Sequence, residues 1–126
     1  MEIIKFKESG YLPGIILDKE AQKFQITGRA CPEDPVEFYQ PVFDWLLEYS
    51  QNPLDEMIFE FKMSYYNTAS SKILMMILQK LEEIAEKGNN VKIKWFYQED
   101  DEDMLEAGED YNEMVELDFE LIPLEE

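Results

Sequence analysis

Residues 64–71 read Ser64, Tyr65, Tyr66, Asn67, Thr68, Ala69, Ser70, Ser71, a segment that is polar and aromatic at once. It falls between an apolar alternation ending near Met63 and a helically spaced run beginning near Ala69. A hydroxyl residue entering a helix meets unpaired backbone N–H groups and the positive end of the helix dipole, so its oxygen is held near the surface. Thr68 is assigned to that capping position. Capping alone accounts for a threonine there. The same position also tolerates a phosphate, because about −1.5 to −2 of added charge is favoured at a helix N-terminus. A partner packed on Tyr65, Tyr66 and Thr68 would then have to desolvate a dianion, and without Arg or Lys of its own the complex would weaken.

Other chemistry is poorly provided for. The chain has no His, which removes the commonest general base and imidazole ligand. Its 29 acids make chance carboxylate pairs unavoidable, and no nucleophile, base and orienting group stand out, so no catalytic residue is assigned. Glu99, Asp100, Asp101, Glu102 and Asp103 lack the alternate spacing, glycine and closing glutamate of a calcium loop. They suit a helix start instead. Cys31, before Pro32, has no identified cationic neighbour to activate it and reads as a small buried or loop residue. Neither a metal nor a cofactor is expected.

The chain has 126 residues, 29 Asp and Glu against 11 Lys and Arg, and a net charge of −18. That length suits a single domain over residues 1–126, and 45% apolar residues are enough for a core. The charge is local. Residues 1–94 hold 15 acids and 11 bases, net −4, while residues 95–126 hold 14 acids and no base. Such a molecule repels phosphate backbones and anionic membranes, so neither is an expected partner. The acidic end reads either as a merely solvated face or as a steering surface for a basic partner. The longest apolar run, Ile73 to Leu78, is far short of the roughly 20 residues that span a bilayer, and the N-terminus lacks a signal-peptide core. With one cysteine, a cytoplasmic location is expected.

Four segments alternate with period two: Phe24 and Ile26; Phe59, Phe61 and Met63; Val91, Ile93, Trp95 and Tyr97; Leu117, Phe119 and Leu121. Lys23, Glu60, Lys62, Lys92, Lys94, Asp118 and Glu120 occupy their opposite faces, so one side of the sheet is wetter. Ile3 to Lys7 and Gly14 to Asp18 are weaker strands, and Asp18 to Gln22 is a hairpin turn. Asp34, Pro35 and Glu37 start a helix whose apolar face is read as Tyr39, Val42, Phe43, Leu46 and Leu47. Pro41 predicts a kink there or a true start near Gln40. Ile73, Leu74, Ile77, Leu81, Ile84 and Ala85 mark a second helix ended by Gly88, with Met75 and Met76 expected in the core. Met104, Leu105, Tyr111, Met114 and Val115 punctuate an acidic third. The expected fold is a small α/β (α+β) domain, a mixed and mostly parallel sheet with helices packed on one face.

On these residues the chain resembles a known family. Tyr65, Asn67, Thr68, Ser70 and Lys72, the helix to Glu83, Val91 to Tyr97, and upstream Gly28 to Pro32, Phe38 and Trp45 are similar to the SiaC family of bacterial regulatory phosphoproteins, over roughly residues 26 to 122. The resemblance implies a STAS-like fold and a threonine switch at Thr68. It also implies a partner kinase of the histidine-kinase-like ATPase fold, a PP2C-type phosphatase, and an unmodified form that activates a diguanylate cyclase, raising cyclic di-GMP in biofilm and aggregation control. Tyr65, Tyr66, Asn67, Thr68, Ser70 and Ser71 are the expected partner-binding residues. The alternative is a STAS-like antagonist of an anti-sigma kinase, acting on transcription. Pro41 and the long acidic end stand outside the resemblance.

Overall fold

Period-two alternation becomes strand and helical spacing becomes helix in the computed structural model, which describes residues 1–125. The order is β1 (Ile4–Phe6), β2 (Gly14–Asp18), β3 (Lys23–Ala30), α1 (Pro35–Tyr49), β4 (Glu56–Tyr66), α2 (Thr68–Glu86), β5 (Asn90–Gln98), α3 (Glu102–Met114) and β6 (Asp118–Leu124). All six strands lie in one sheet in chain order. The first three pair antiparallel, and β3 to β6 pair parallel. Each parallel step passes through a helix, and successive right-handed crossovers in one direction put the three helices on one face.

The core lies between that face and the helices. Phe24, Ile26, Phe59, Phe61, Ile93 and Trp95 are buried from the sheet, and Leu46, Leu74, Ile77 and Leu81 from the helices. Fully burying side chains of this kind contributes about 1.5 to 3 kcal/mol each. Trp95 is central: its ring meets Phe61, Tyr66, Tyr111 and Phe119, and its Nε1 donates to the Met104 carbonyl at 3.0 Å. Gly108 makes room for it. A Cβ at that glycine would come within 2.5 Å of Trp95 Cδ1 and 2.6 Å of Leu121 Cδ2.

Several expectations need correction. Helix α1 runs unbroken from Pro35, so Pro41 lies inside it and the start near Gln40 is not adopted. Asp34 accepts from Glu37 N at 3.2 Å, a local contact that fixes the earlier start. The buried face of α1 is Tyr39, Val42, Trp45, Leu46 and Tyr49, whereas Leu47 is exposed and Phe43 half-buried. Trp45 and Tyr49 stack at 5.3 Å and both pack on Phe24, which turns the helix toward its aromatic side. Met76 is exposed, leaving Met75 partly packed against the core. The turn after β2 forms as expected, Ala21 N donating to Asp18, and Gly88 follows α2 at φ +98°. Among the described residues, no helix is long and apolar enough to cross a membrane.

Candidate functional site

Strand β4 delivers residues 64–66 to the carboxyl end of the parallel strands, where crossover loops of α/β sheets place their functional groups. Asn67 then closes the turn. With extended backbone, φ −91° and ψ 173°, it is the N-cap of α2, and its Oδ1 accepts from Ser70 N at 2.9 Å. This corrects the assignment of the cap to Thr68, which is instead the first helical residue. The shift has a chemical consequence. Thr68 is exposed, and among the described residues its hydroxyl makes no hydrogen bond, so it is not committed to holding the helix start.

The other expected site residues divide by depth. Tyr65 is exposed, whereas Tyr66 is half-buried, its ring edge-on to Trp95 at 6.3 Å. Ser71 is half-buried: its hydroxyl donates to the Thr68 carbonyl at 2.6 Å, and its own carbonyl accepts from the Tyr111 hydroxyl at 2.9 Å. Ser70 departs from expectation. It is fully buried beneath the first turn of α2 and offers a partner no surface. Its hydroxyl faces that of Tyr39, another fully buried residue, yet neither oxygen has a partner with hydrogen-bond geometry among the described residues. Burial pushes the Tyr39 phenol up to about 12, and the nearby Ser70 hydroxyl offsets only part of that.

Acidic groups border the site. Ser64, Tyr65 and Tyr66 share a cleft of about 370 Å³ with Asp101, Asp103, Met104 and Ala107. Asp101 is the N-cap of α3, accepting from Met104 N at 3.0 Å, and Glu102 and Asp103 occupy the first turn, so the acidic run opens a helix as expected. Burial raises the phenol pKa values of Tyr66 and Tyr111, with the neighbouring Asp110 carboxylate adding to the rise at Tyr66. Among the described residues no group of three acidic or thiol side chains is gathered as a metal site. Cys31 is half-buried just beyond β3, its N–H donating to the Tyr11 carbonyl at 2.8 Å.

The sequence alone assigns no individual role to two residues that border the site. Arg29 aligns with Tyr65 across the β3 and β4 pairing, after a register shift at Gly28 and Arg29, and its guanidinium lies over the rings of both Tyr11 and Tyr65. The available signal was that Arg29 is the chain's single arginine. Tyr11 had none, since only the fold brings it beside β4.

Comparison with known proteins converges on one family. The model of the SiaC family regulatory phosphoprotein matches residues 6–124. An uncharacterized protein of Pseudomonas aeruginosa strain UCBPP-PA14 is 31% identical over 110 residues, 85% of each chain. The crystal structure of apo-SiaC from Pseudomonas aeruginosa superposes with a TM-score of 0.88 at 26% identity, over 97% of this chain and 99% of that one. A chain in the crystal structure of the diguanylate cyclase SiaD in complex with its activator SiaC, from the same organism, shares the fold with a TM-score of 0.88 at 24% identity, over 96% and 99%.

Proposed function

We propose that this chain, which belongs to the SiaC family of regulatory phosphoproteins, is a non-enzymatic cytoplasmic switch thrown at Thr68. In this reading a partner Ser/Thr kinase of the histidine-kinase-like ATPase fold phosphorylates Thr68, and a PP2C-type phosphatase removes the phosphate. The unmodified protein binds and activates a diguanylate cyclase, as SiaC of Pseudomonas aeruginosa is the activator in complex with SiaD.

The observation that carries the proposal is the division of labour at the helix start. Asn67 satisfies the Ser70 N–H, which leaves the adjacent Thr68 hydroxyl exposed and free for chemistry. A phosphate there meets the positive end of α2, so the fold tolerates it. A partner covering the same surface does not. It would have to desolvate about two negative charges two residues beyond Tyr66, which itself lines a cleft with Asp101 and Asp103. One physical act, adding charge to an exposed first-turn hydroxyl, therefore separates the bound and released states.

Incubation with the candidate kinase and ATP, followed by mass spectrometric mapping, tests the assignment. The expected product carries a single phosphate on Thr68, and Thr68→Ala takes up none. Equal phosphate uptake by Thr68→Ala would refute it.

A further inference from the structure

Arg29 is the chain's single arginine, and it stands exposed in a molecule of net charge −18. Its guanidinium carbon lies 5.2 Å from the centroid of the Tyr11 ring and 5.5 Å from that of Tyr65, residues that are 65% and 51% exposed. Among the described residues no carboxylate comes within ion-pair distance of it. Even Glu8, whose carboxyl folds over Gly28 one residue away, stays outside that distance. Flanking rings hold a guanidinium by its faces and leave its edge N–H donors free.

We propose that Tyr11, Arg29 and Tyr65 anchor the partner surface, and that the occupant of the anchor is an Asp or Glu side chain presented by the protein partner. The inference rests on reading the surface around Tyr65 and Thr68 as the partner-binding site, and it extends that surface to two segments far away in sequence. Charge complementarity selects the occupant. A guanidinium edge pairs in bidentate fashion with a carboxylate or a phosphate. A polyphosphate chain laid across Arg29 would also meet the Asp101 and Asp103 cleft on which Tyr65 borders, and the net charge would repel it throughout. A single carboxylate carries one negative charge where a polyphosphate carries several, and one held at Arg29 need not extend to the cleft, so both costs are smaller. Tyr and Arg are also the residue types enriched where binding energy concentrates at interfaces.

Calorimetric titration of the intact protein into the purified diguanylate cyclase tests the anchor. Arg29→Ala and Arg29→Glu should weaken binding about 30-fold or more, and Tyr11→Ala about tenfold. Arg29→Lys, which keeps the charge but loses the planar fork, should fall between Arg29→Ala and the parent. Melting temperatures should stay within about 5 °C of the parent, since Arg29 is exposed and loses only two exposed ring contacts. Changing one partner acid to Lys should restore binding to Arg29→Glu at least about tenfold. The absence of any restoring acid would overturn the carboxylate assignment. Parent-like binding by Arg29→Glu, with Thr68→Glu weakened in the same series, would overturn the anchor and leave the switch standing. If the parent itself failed to bind, the partner reading would fall and the anchor with it.

Discussion

Asn67 and Thr68 are neighbours that do different work, and stability measurements can separate them. Asn67→Ala removes the cap of α2 and should cost about 1 kcal/mol, lowering the melting temperature by roughly 3 to 6 °C. Thr68→Ala should stay within about 0.5 kcal/mol of the parent, because its hydroxyl holds nothing in place. Thermal denaturation of the two variants checks the order, and a larger loss at Thr68 would return the cap to that residue. The sequence showed a capping residue near the end of β4 but not which one, because Asn and Thr are both good N-caps and a one-residue shift leaves the helical period unchanged. Ser70 illustrates a deeper limit. Its burial depends on Tyr39, which arrives from α1 some thirty positions earlier, and no local pattern reports such a contact. Arg29 was visible as a rarity, but its significance depends on Tyr11 and Tyr65 being brought to either side of it.

Among the elements, α3 shows how a local rule yields to packing. Gly108 is a poor helix residue, and Ala should gain about 1 kcal/mol of propensity there. The added methyl, however, would lie 2.5 Å from Cδ1 of the fully buried Trp95, which the core holds in place. Overpacking of this kind costs about 1 to 3 kcal/mol, so Gly108→Ala should be destabilised on balance. A urea melt of the variant checks the sign, and a more stable protein would contradict the close approach of α3 to β5. The contact between α1 and α2 gives a second prediction. The Tyr39 phenol titrates at about 12 in the folded chain but near 10 when unfolded, so between those values the folded state keeps a proton that the unfolded state has lost. Stability is therefore full below about pH 10 and falls as pH rises toward 12, by about 1.4 kcal/mol per pH unit from this group. Tyr66 and Tyr111 shift in the same direction. Urea melts at rising alkaline pH should show the loss, with a shallower slope for Tyr39→Phe; the same slope in both would rule out this phenol as its source. The strand and helix order was legible because alternation and helical spacing are local. The face of α1 was not, because Trp45 and Tyr49 owe their burial to Phe24 on another element.

At the scale of the whole molecule, charge is the dominant property. The mixed sheet and its helices carry an excess of acids that, among the described residues, the ion pairs Lys62–Glu60, Lys80–Glu83 and Lys92–Glu120 barely offset, since they lie on partly exposed side chains. Self-repulsion should therefore tax the folded state, and moving from about 0.01 M to 0.15 M salt, which shortens the screening length from about 30 Å to 8 Å, should raise the melting temperature. A fall would show that attractive pairs outweigh the repulsion. This charge also bears on the proposed switch, since a phosphate on Thr68 would add to the acidity of a molecule whose neighbouring Tyr65 and Tyr66 already line a cleft with Asp101 and Asp103. The family expectation for the fold was met across the sheet and the three helices, whereas the placing of the acidic third beside Tyr65 and Tyr66 required the β5 to α3 connection to be seen in space.

The most direct test compares the unmodified protein with protein stoichiometrically phosphorylated on Thr68, each titrated into the purified diguanylate cyclase while cyclic di-GMP synthesis is followed. Binding and stimulation by the unmodified form, both weakened at least about tenfold by the phosphate, is the predicted result. Equal affinity and equal stimulation by the two forms would contradict it.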